Sequence, residues 1–235
     1  MVKLMRLVRQ THNLLGLIVG AQVLLWVASG LFFALRPIEE VRGEHLRAEV
    51  VEVMPNMPVS RAPVEDILEA AAVPVTALRL RPWLGRAVWE VETETGKALY
   101  DAETGAALSP VTEEDARRVA EAGWMGDGAL ASLTLADPAP REAGRGFGRA
   151  MWRAEFAGKD TATFWIDPQV GDIAAVRTEW WRTFDLFWGL HIMDWTSRET
   201  ISTWWMKLFA FGALVLSLAG IWLVIDRLRK GRLLK

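Results

Sequence analysis

The chain has no cysteine. This excludes disulfide staples, thiol nucleophiles and thiolate metal centres, so the fold rests on an ordinary apolar core. Histidine is scarce as well, with three in 235 residues, His12, His45 and His191. Neither a Gly-x-Ser-x-Gly elbow nor a His-Glu-x-x-His pair occurs, and with no thiol nucleophile the chain does not read as a self-sufficient hydrolase. Basic surface is missing everywhere except the two ends. Those ends carry Lys3, Arg6, Arg9, Arg227, Arg229, Lys230, Arg232 and Lys235 against Asp226 alone, so a formal net charge of −2 leaves −9 for the middle. An acidic middle excludes nucleic acid as a partner.

What the chain does have is two long apolar runs. Leu14 to Leu35 holds 22 residues without a charge, more than the roughly 20 needed to cross a bilayer as a helix. Trp204 to Ile225 carries one charge, Lys207, three residues from its aromatic entrance. A lysine so placed reaches the headgroups with its long side chain. Flanking basic residues put both termini in the cytoplasm. The rival reading of the first run is a cleaved signal peptide, whose apolar core is normally about 7 to 15 residues. The greater length here favours an uncleaved anchor. The segment from Arg36 to Thr203 then lies on the far side, which in a bacterium is the periplasm, and the chain is a multi-pass protein of the bacterial inner membrane.

The middle segment repeats itself. Arg86-Ala-Val-Trp-Glu-Val-Glu92 and Arg149-Ala-Met-Trp-Arg-Ala-Glu155 agree at Arg, Ala, Trp and Glu. Each is followed by a strand and a turn, Leu99 to Gly105 and Phe164 to Gly171, with Asp101 and Asp167 four residues ahead of the glycine. An Asp opening a turn closed by Gly supplies a side-chain acceptor and then a permissive backbone. Ala87, Trp89 and Val91 alternate with Val88, Glu90 and Glu92, and Ala150, Trp152, Ala154 and Phe156 alternate with Arg153 and Glu155, a strand pattern. A helix is predicted ahead of each set: Ser60 to Ala72, opened by Ser60 with Pro63 and Glu65 in its first turn, and Thr112 to Ala122, opened by Thr112 with Glu113, Glu114 and Asp115. The fold class is α+β: a two-span helical hairpin carrying two helix-plus-antiparallel-sheet repeats, whose strands either share one sheet or form two packed side by side. The predicted organisation is a basic tail at 1–10, a first span at 11–36, a linker at 37–59, repeat units at 60–110 and 111–177, an aromatic helix at 178–195, a second span at 197–226 and a basic tail at 227–235.

The helix followed by the phrase Tyr100-Asp-Ala-Glu-Thr-Gly-Ala-Ala-Leu108, repeated more loosely from Trp165 to Ile173, resembles the PepSY domain. Together with the entry to the first span, Thr11-His-Asn-Leu-Leu-Gly16, and Leu190-His-Ile-Met-Asp194 ahead of the second, the chain resembles PepSY domain proteins with associated transmembrane helices. The resemblance covers nearly the whole chain. It implies an inner-membrane protein with a periplasmic α+β module. Some larger relatives are ferric-siderophore reductases that bind haem between transmembrane helices, and other PepSY modules act as inhibitory or chaperone-like segments of secreted peptidases. This chain has two spans where the reductases have about four, so the resemblance points to an accessory subunit of an electron-transfer or iron-uptake assembly.

Two histidines sit at the membrane boundaries. Gly16 and Gly20 lie one and two turns from His12 on the same helical face. That leaves room for a flat ligand such as haem b, whose iron imidazole commonly holds. The same glycines also read as a helix-packing face with His12 marking the interface. Trp181, Phe184, Trp188, His191 and Trp195 recur at helical spacing as an aromatic stripe, with Thr196-Ser-Arg-Glu199 as a capping box starting the second span. The stripe fits an interfacial aromatic belt, with His191 either part of it or a second haem ligand. On opposite membrane faces His12 and His191 are too far apart to share one iron. His45 reads as solvated. Trp181, Trp188, Trp195, Trp204 and Trp205 form a surface for lipid, for another membrane protein or for a second copy. Met54 and Met57 read as linker rather than a copper site, Gly144 to Gly148 as a flexible excursion, and Glu90, Glu92 and Glu94 as a solvated strand face. No metal site is expected. Two further functions remain open beside the electron-transfer reading: a haem-free tethered module that pairs its sheet with peptide or regulates proteolysis, and a purely structural subunit of a larger complex.

Overall fold

The computed structural model describes residues 2–48, 53–55 and 62–231. It divides into two compact units, one comprising Met1–Pro37 with Arg182–Lys235 and the other Ile38–Trp181.

The first unit is helical. Helix α1 (Val2–Ala34) and helix α6 (Trp204–Arg229) are each long and apolar enough to cross a membrane. They run antiparallel, because His12 lies against Gly220, Gly16 against Leu216 and Val19 against Gly212. No residue of α6 is buried, and α1 buries only Val19, Gln22 and Ser29 among its described side chains. Helices apolar all round and covered so little need an apolar medium or a partner around them.

Both long helices differ in extent from the segments predicted as spans. The tail at 1–10 is not a separate element, since no proline or glycine interrupts residues 2–15 and α1 runs through it. The second long helix does not begin at a Thr196 capping box. It begins at Trp204, where the Thr203 side chain accepts the Met206 amide at 3.2 Å. Thr196 to Thr200 are instead wound around the Asp194 carboxylate, which accepts the amides of Thr196, Ser197, Glu199 and Thr200 and the hydroxyls of Thr196 and Ser197. These donors, the Ser197 hydroxyl foremost, hold the Asp194 carboxyl far below the usual carboxylate range.

The second unit is α+β. A one-turn helix α2 (Ile38–Val41) leads to helix α3 (Val64–Ala71) and strands β1 (Val75–Trp83), β2 (Arg86–Thr93) and β3 (Gly96–Asp101). Helix α4 (Glu113–Gly123) precedes strands β4 (Gly128–Ala136), β5 (Met151–Gly158), β6 (Ala162–Ile166) and β7 (Ile173–Thr178). The strands form two antiparallel sheets, β1-β2-β3 and β4-β5-β6-β7, with every neighbour consecutive in the chain. In the register Trp89 stands opposite Tyr100, which precedes Asp101, and Trp152 stands opposite Ile166, which precedes Asp167. Each first strand also bulges near its start, between Val75 and Ala77 and between Leu130 and Ser132.

Local chemistry explains these elements. Asp101 accepts the amides of Glu103 and Thr104, and Asp167 that of Gln169, before Gly105 and Gly171 turn the chain at φ of +74° and +66°. Thr112 caps α4 by accepting the Asp115 amide at 3.1 Å. Helix α3 is shorter than predicted. It starts at Val64 after Pro63, with no side-chain cap, and Ser60 lies outside the described residues.

One apolar cluster packs the second sheet on α4, and another joins the two sheets. Phe156, Phe164 and Ile166 pack with Ala120 of α4, while Trp83, Val88 and Leu99 of the first sheet meet Val170, with Leu133 and Trp152 of the second packed alongside. Strand β2 is buried on both faces, with Val88 and Val91 each at 0% exposure. The solvated acidic face expected there is corrected accordingly: Glu90 is buried, and it pairs with Arg81 and Lys97, each at 2.8 Å. The Gly144 to Gly148 region is likewise no loose excursion. It belongs to a packed 3-10 turn in which Ala143 is fully buried and a Cβ at Gly146 would lie 2.5 Å from the Met151 sulfur.

Candidate functional site

Helix α5 (Glu179–Ile192) brings its aromatic residues onto the C-terminal end of α1. Phe184, Trp188 and His191 surround Phe33 with ring centroids at 4.6, 6.2 and 5.4 Å, and Phe187 stacks on Phe32 at 4.4 Å. Two hydrogen bonds lock His191 in place. Its carbonyl accepts the Trp26 indole N–H at 2.7 Å, and its Nδ1 lies 2.8 Å from Ser29 Oγ.

Of the two neutral tautomers of His191, the one with the proton on Nδ1 satisfies both short contacts of Ser29. Ser29 has one hydroxyl proton and places its Oγ 2.6 Å from the Leu25 carbonyl, one turn back on α1. With that proton given to Leu25, the contact with His191 requires Nδ1–H to donate. Nε2 then keeps the lone pair, and it makes no hydrogen bond among the described residues. Burial lowers the His191 pKa from its ordinary value, which favours the neutral ring. A neutral imidazole with Nδ1–H anchored and Nε2 free is the usual form of a histidine ligand.

His12 is arranged differently. Its Nε2 sits 3.2 Å from where a Cβ would stand on Gly220, so the imidazole fills the space that this glycine leaves on α6. Gly16 is covered by Leu216 at 3.8 Å, whereas Gly20 has nothing within 4 Å. The room expected above Gly16 and Gly20 is thus taken up by α6 at Gly16 and remains open only at Gly20. His12 and Ser29 are separated by 17 positions along α1, about 25 Å at 1.5 Å per residue. His12 and His191 therefore do not converge.

The expected five-membered stripe is only partly assembled. Phe184, Trp188 and His191 share one neighbour, but Trp195 lies beyond the helix, which ends at Ile192 before Met193 adopts φ of +55°. Trp195 is exposed. Trp181 belongs to the α+β unit, with the Arg177 guanidinium 4.0 Å above its ring. Trp204 and Trp205 stack on each other at 3.5 Å and are exposed at the start of α6. His45 is exposed in a 3-10 turn, and Met57 lies outside the described residues.

One contact pair was not expected from the sequence. Arg198, at φ of +56°, reaches across Gly189 to the buried Asp185 at 2.5 Å, and its carbonyl accepts the Trp188 indole N–H at 3.1 Å. A side chain on Gly189 would collide with that arginine, whose carbons lie 2.9 Å from the would-be Cβ. This pair ties the α5–α6 connection to the helix that carries His191. The signal was a glycine one turn after an acid, too common a pattern to single out.

In the α+β unit a cleft of about 640 Å³ is lined by Lys97, Tyr100, Arg149, Asp167 and Gln169 among others. Its two cations already have partners: Lys97 with Glu90, and Arg149 with the Arg145 carbonyl. Among the described residues no group of three or more His, Cys, Asp or Glu is placed to hold a metal ion. For haem b the fit is to one residue: His191 offers an oriented nitrogen, and His12 packed on Gly220 does not. Compared with family models, curated proteins and solved structures, the chain gives no match to any of the three.

Proposed function

We propose that this chain is a membrane-anchored accessory subunit of the bacterial inner membrane, serving a transmembrane electron-transfer or iron-uptake assembly such as ferric-siderophore reduction. In this reading α1 and α6 cross the bilayer with both ends cytoplasmic, and the two sheets form a periplasmic module of paired PepSY-like repeats. The observation that carries it is the state of His191: Nδ1–H held by Ser29, Nε2 unbonded, the ring flanked by Phe33 and Trp188. The matched strand registers and the two apolar helices support the architecture.

Haem b, when bound, supplies an iron that takes up and passes on single electrons. The chain's own contribution is to present His191 Nε2 at a fixed angle and to keep the imidazole neutral. Ser29 sets the tautomer, and the aromatic residues exclude water. His191 would hold the haem iron from this chain, and any further ligand would have to come from another subunit or a second copy.

The test is an absorption spectrum of protein purified in mild detergent from haem-replete cells, oxidised and reduced. The expected result is a Soret band that is lost in His191→Ala and retained in His12→Ala. A folded, colourless preparation overturns the haem assignment. A reporter enzyme fused behind Lys235 and active only outside the cytoplasm overturns the topology.

A further inference from the structure

The first sheet has a free edge whose backbone groups can be assigned one by one. Leu99 donates its N–H to Ser109 Oγ at 2.7 Å and accepts the Leu108 amide at 2.8 Å, so its backbone groups turn away from β2. Leu99 stands opposite Glu90, and Glu90 opposite Arg79. In an antiparallel ladder the direction alternates residue by residue. Glu90 therefore faces β1, Arg79 faces β2, and Leu78, Leu80 and Pro82 direct their backbone groups outward. Proline fits that position because the N–H it lacks would face away from the sheet. Among the described residues nothing bonds to the outward groups of Leu78 and Leu80.

Beside this edge lies a groove of about 430 Å³, lined by Leu68, Val73, Val75, Thr76, Ala77 and Leu78. Leu68 and Val73 are 41% and 46% exposed, which is high for apolar residues flanking a sheet edge. Leu78 packs on the α3 face with Ile67, Val91 and Tyr100. Arg79 points to the other face, exposed and with no ion pair among the described residues. The edge thus presents main-chain donors and acceptors, an apolar trough on one side and an unpaired cation on the other.

We propose that the β1 edge takes up an extended peptide segment whose side chains alternate between apolar and acidic, adding a fourth strand to the first sheet. Main-chain bonds to Leu78 and Leu80 hold the segment, apolar side chains enter the groove beside Leu68 and Val73, and a carboxylate meets Arg79. Pro82 ends the ladder, so the docked stretch runs along Val75 to Leu80, about 20 Å. A second copy of the chain is a poorer occupant. Antiparallel self-pairing that uses both Leu78 and Leu80 places Arg79 opposite its own symmetry mate, and like charges directly opposite are destabilising. This site is independent of the haem reading, since it lies in the other unit.

The test uses the full-length protein in detergent and two fluorescein-labelled hexapeptides, one alternating valine with glutamate and one alternating valine with lysine. The expected result is saturable binding of the glutamate peptide and roughly tenfold weaker binding of the lysine peptide. Leu80→Pro removes one outward N–H without touching the β1–β2 ladder and should abolish binding. Arg79→Gln, a neutral change at an exposed position that puts no like charge opposite Glu90, should remove the preference between the two peptides. The proposal is overturned by any of three results: no saturable binding of the glutamate peptide, an undiminished preference for it in the Arg79→Gln protein, or a dimer in sedimentation that Leu80→Pro dissociates.

Discussion

The two sheets of the α+β unit share a plan and differ in what covers them. Strand β6 of the second sheet buries all five of its residues, with Phe164 turned to α4 and Trp165 turned to the 3-10 turn around Ala143. In the first sheet no strand is buried throughout, and β2 carries Glu90 between Arg81 and Lys97 in its middle. Its edge strand β1 has an open groove at its side. The same strand-turn motif thus serves once as a scaffold and once as a surface with polar and main-chain groups to offer. Close packing throughout β6 leaves the second sheet little to bind with, whereas the first sheet, covered on both faces at β2, keeps its β1 edge for recognition.

That contrast makes its strongest prediction at Phe164. Phe164→Ala, at a site with 0% exposure, should cost about 3 to 5 kcal/mol in denaturant unfolding of the α+β unit. Leu78→Ala, at the half-buried edge, should cost far less, and equal costs would break the comparison.

A smaller effect is expected from the charged centre of the first sheet. Glu90→Ala removes the buried partner of Arg81 and Lys97, leaving Arg81 the more exposed Asp172 carboxylate, and should destabilise by about 2 kcal/mol. Burial pushes the Glu90 carboxyl upward, but the Lys97 hydrogen bond and the charges of Arg81 and Lys97 outweigh it and hold the pKa below the ordinary value. The contribution of Glu90 is therefore complete above its unfolded pKa, about 4.3, and is lost as pH falls through the lower folded value. Wild-type stability should fall over that acid window, and the Glu90→Ala protein should show a shallower decline.

The smallest effect distinguishes the helices. Thr112→Ala removes the hydroxyl that caps α4 and should cost about 1 kcal/mol. Helix α3 has no side-chain cap to lose, so Pro63→Ala should leave thermal unfolding nearly unchanged by comparison.

Much of the architecture was legible because it depends on neighbours in the chain. The two apolar runs, the Thr112 cap and the turns at Asp101 and Asp167 need only nearby residues, and all are present. Strand β1 was missed because Pro82 weakens its strand pattern, and it is tolerated only because that residue faces outward on an edge. The capping box at Thr196 failed because the Asp194 carboxylate two residues earlier competed for the same amides and won. The stripe through Trp195 failed because helical spacing continues on paper past the point where the helix ends. At the histidines, spacing placed both near helix ends but could not show that His12 would fill the space left by Gly220, more than 200 positions away in the chain.

Composition and short-range pattern alone determined that this chain would lack disulfides, carry two long apolar helices and fold its acidic middle from helices and antiparallel strands. Those features arise from hydrophobic periodicity, capping and turn chemistry acting over a few residues. Which imidazole nitrogen of His191 is free, whether Glu90 is solvated or clamped, and which strand edge stays open depend on atoms from distant parts of the chain meeting within about 3 Å. Only the folded chain brings those atoms together, because hydrogen bonds and steric contacts are short-ranged in space and indifferent to separation in sequence.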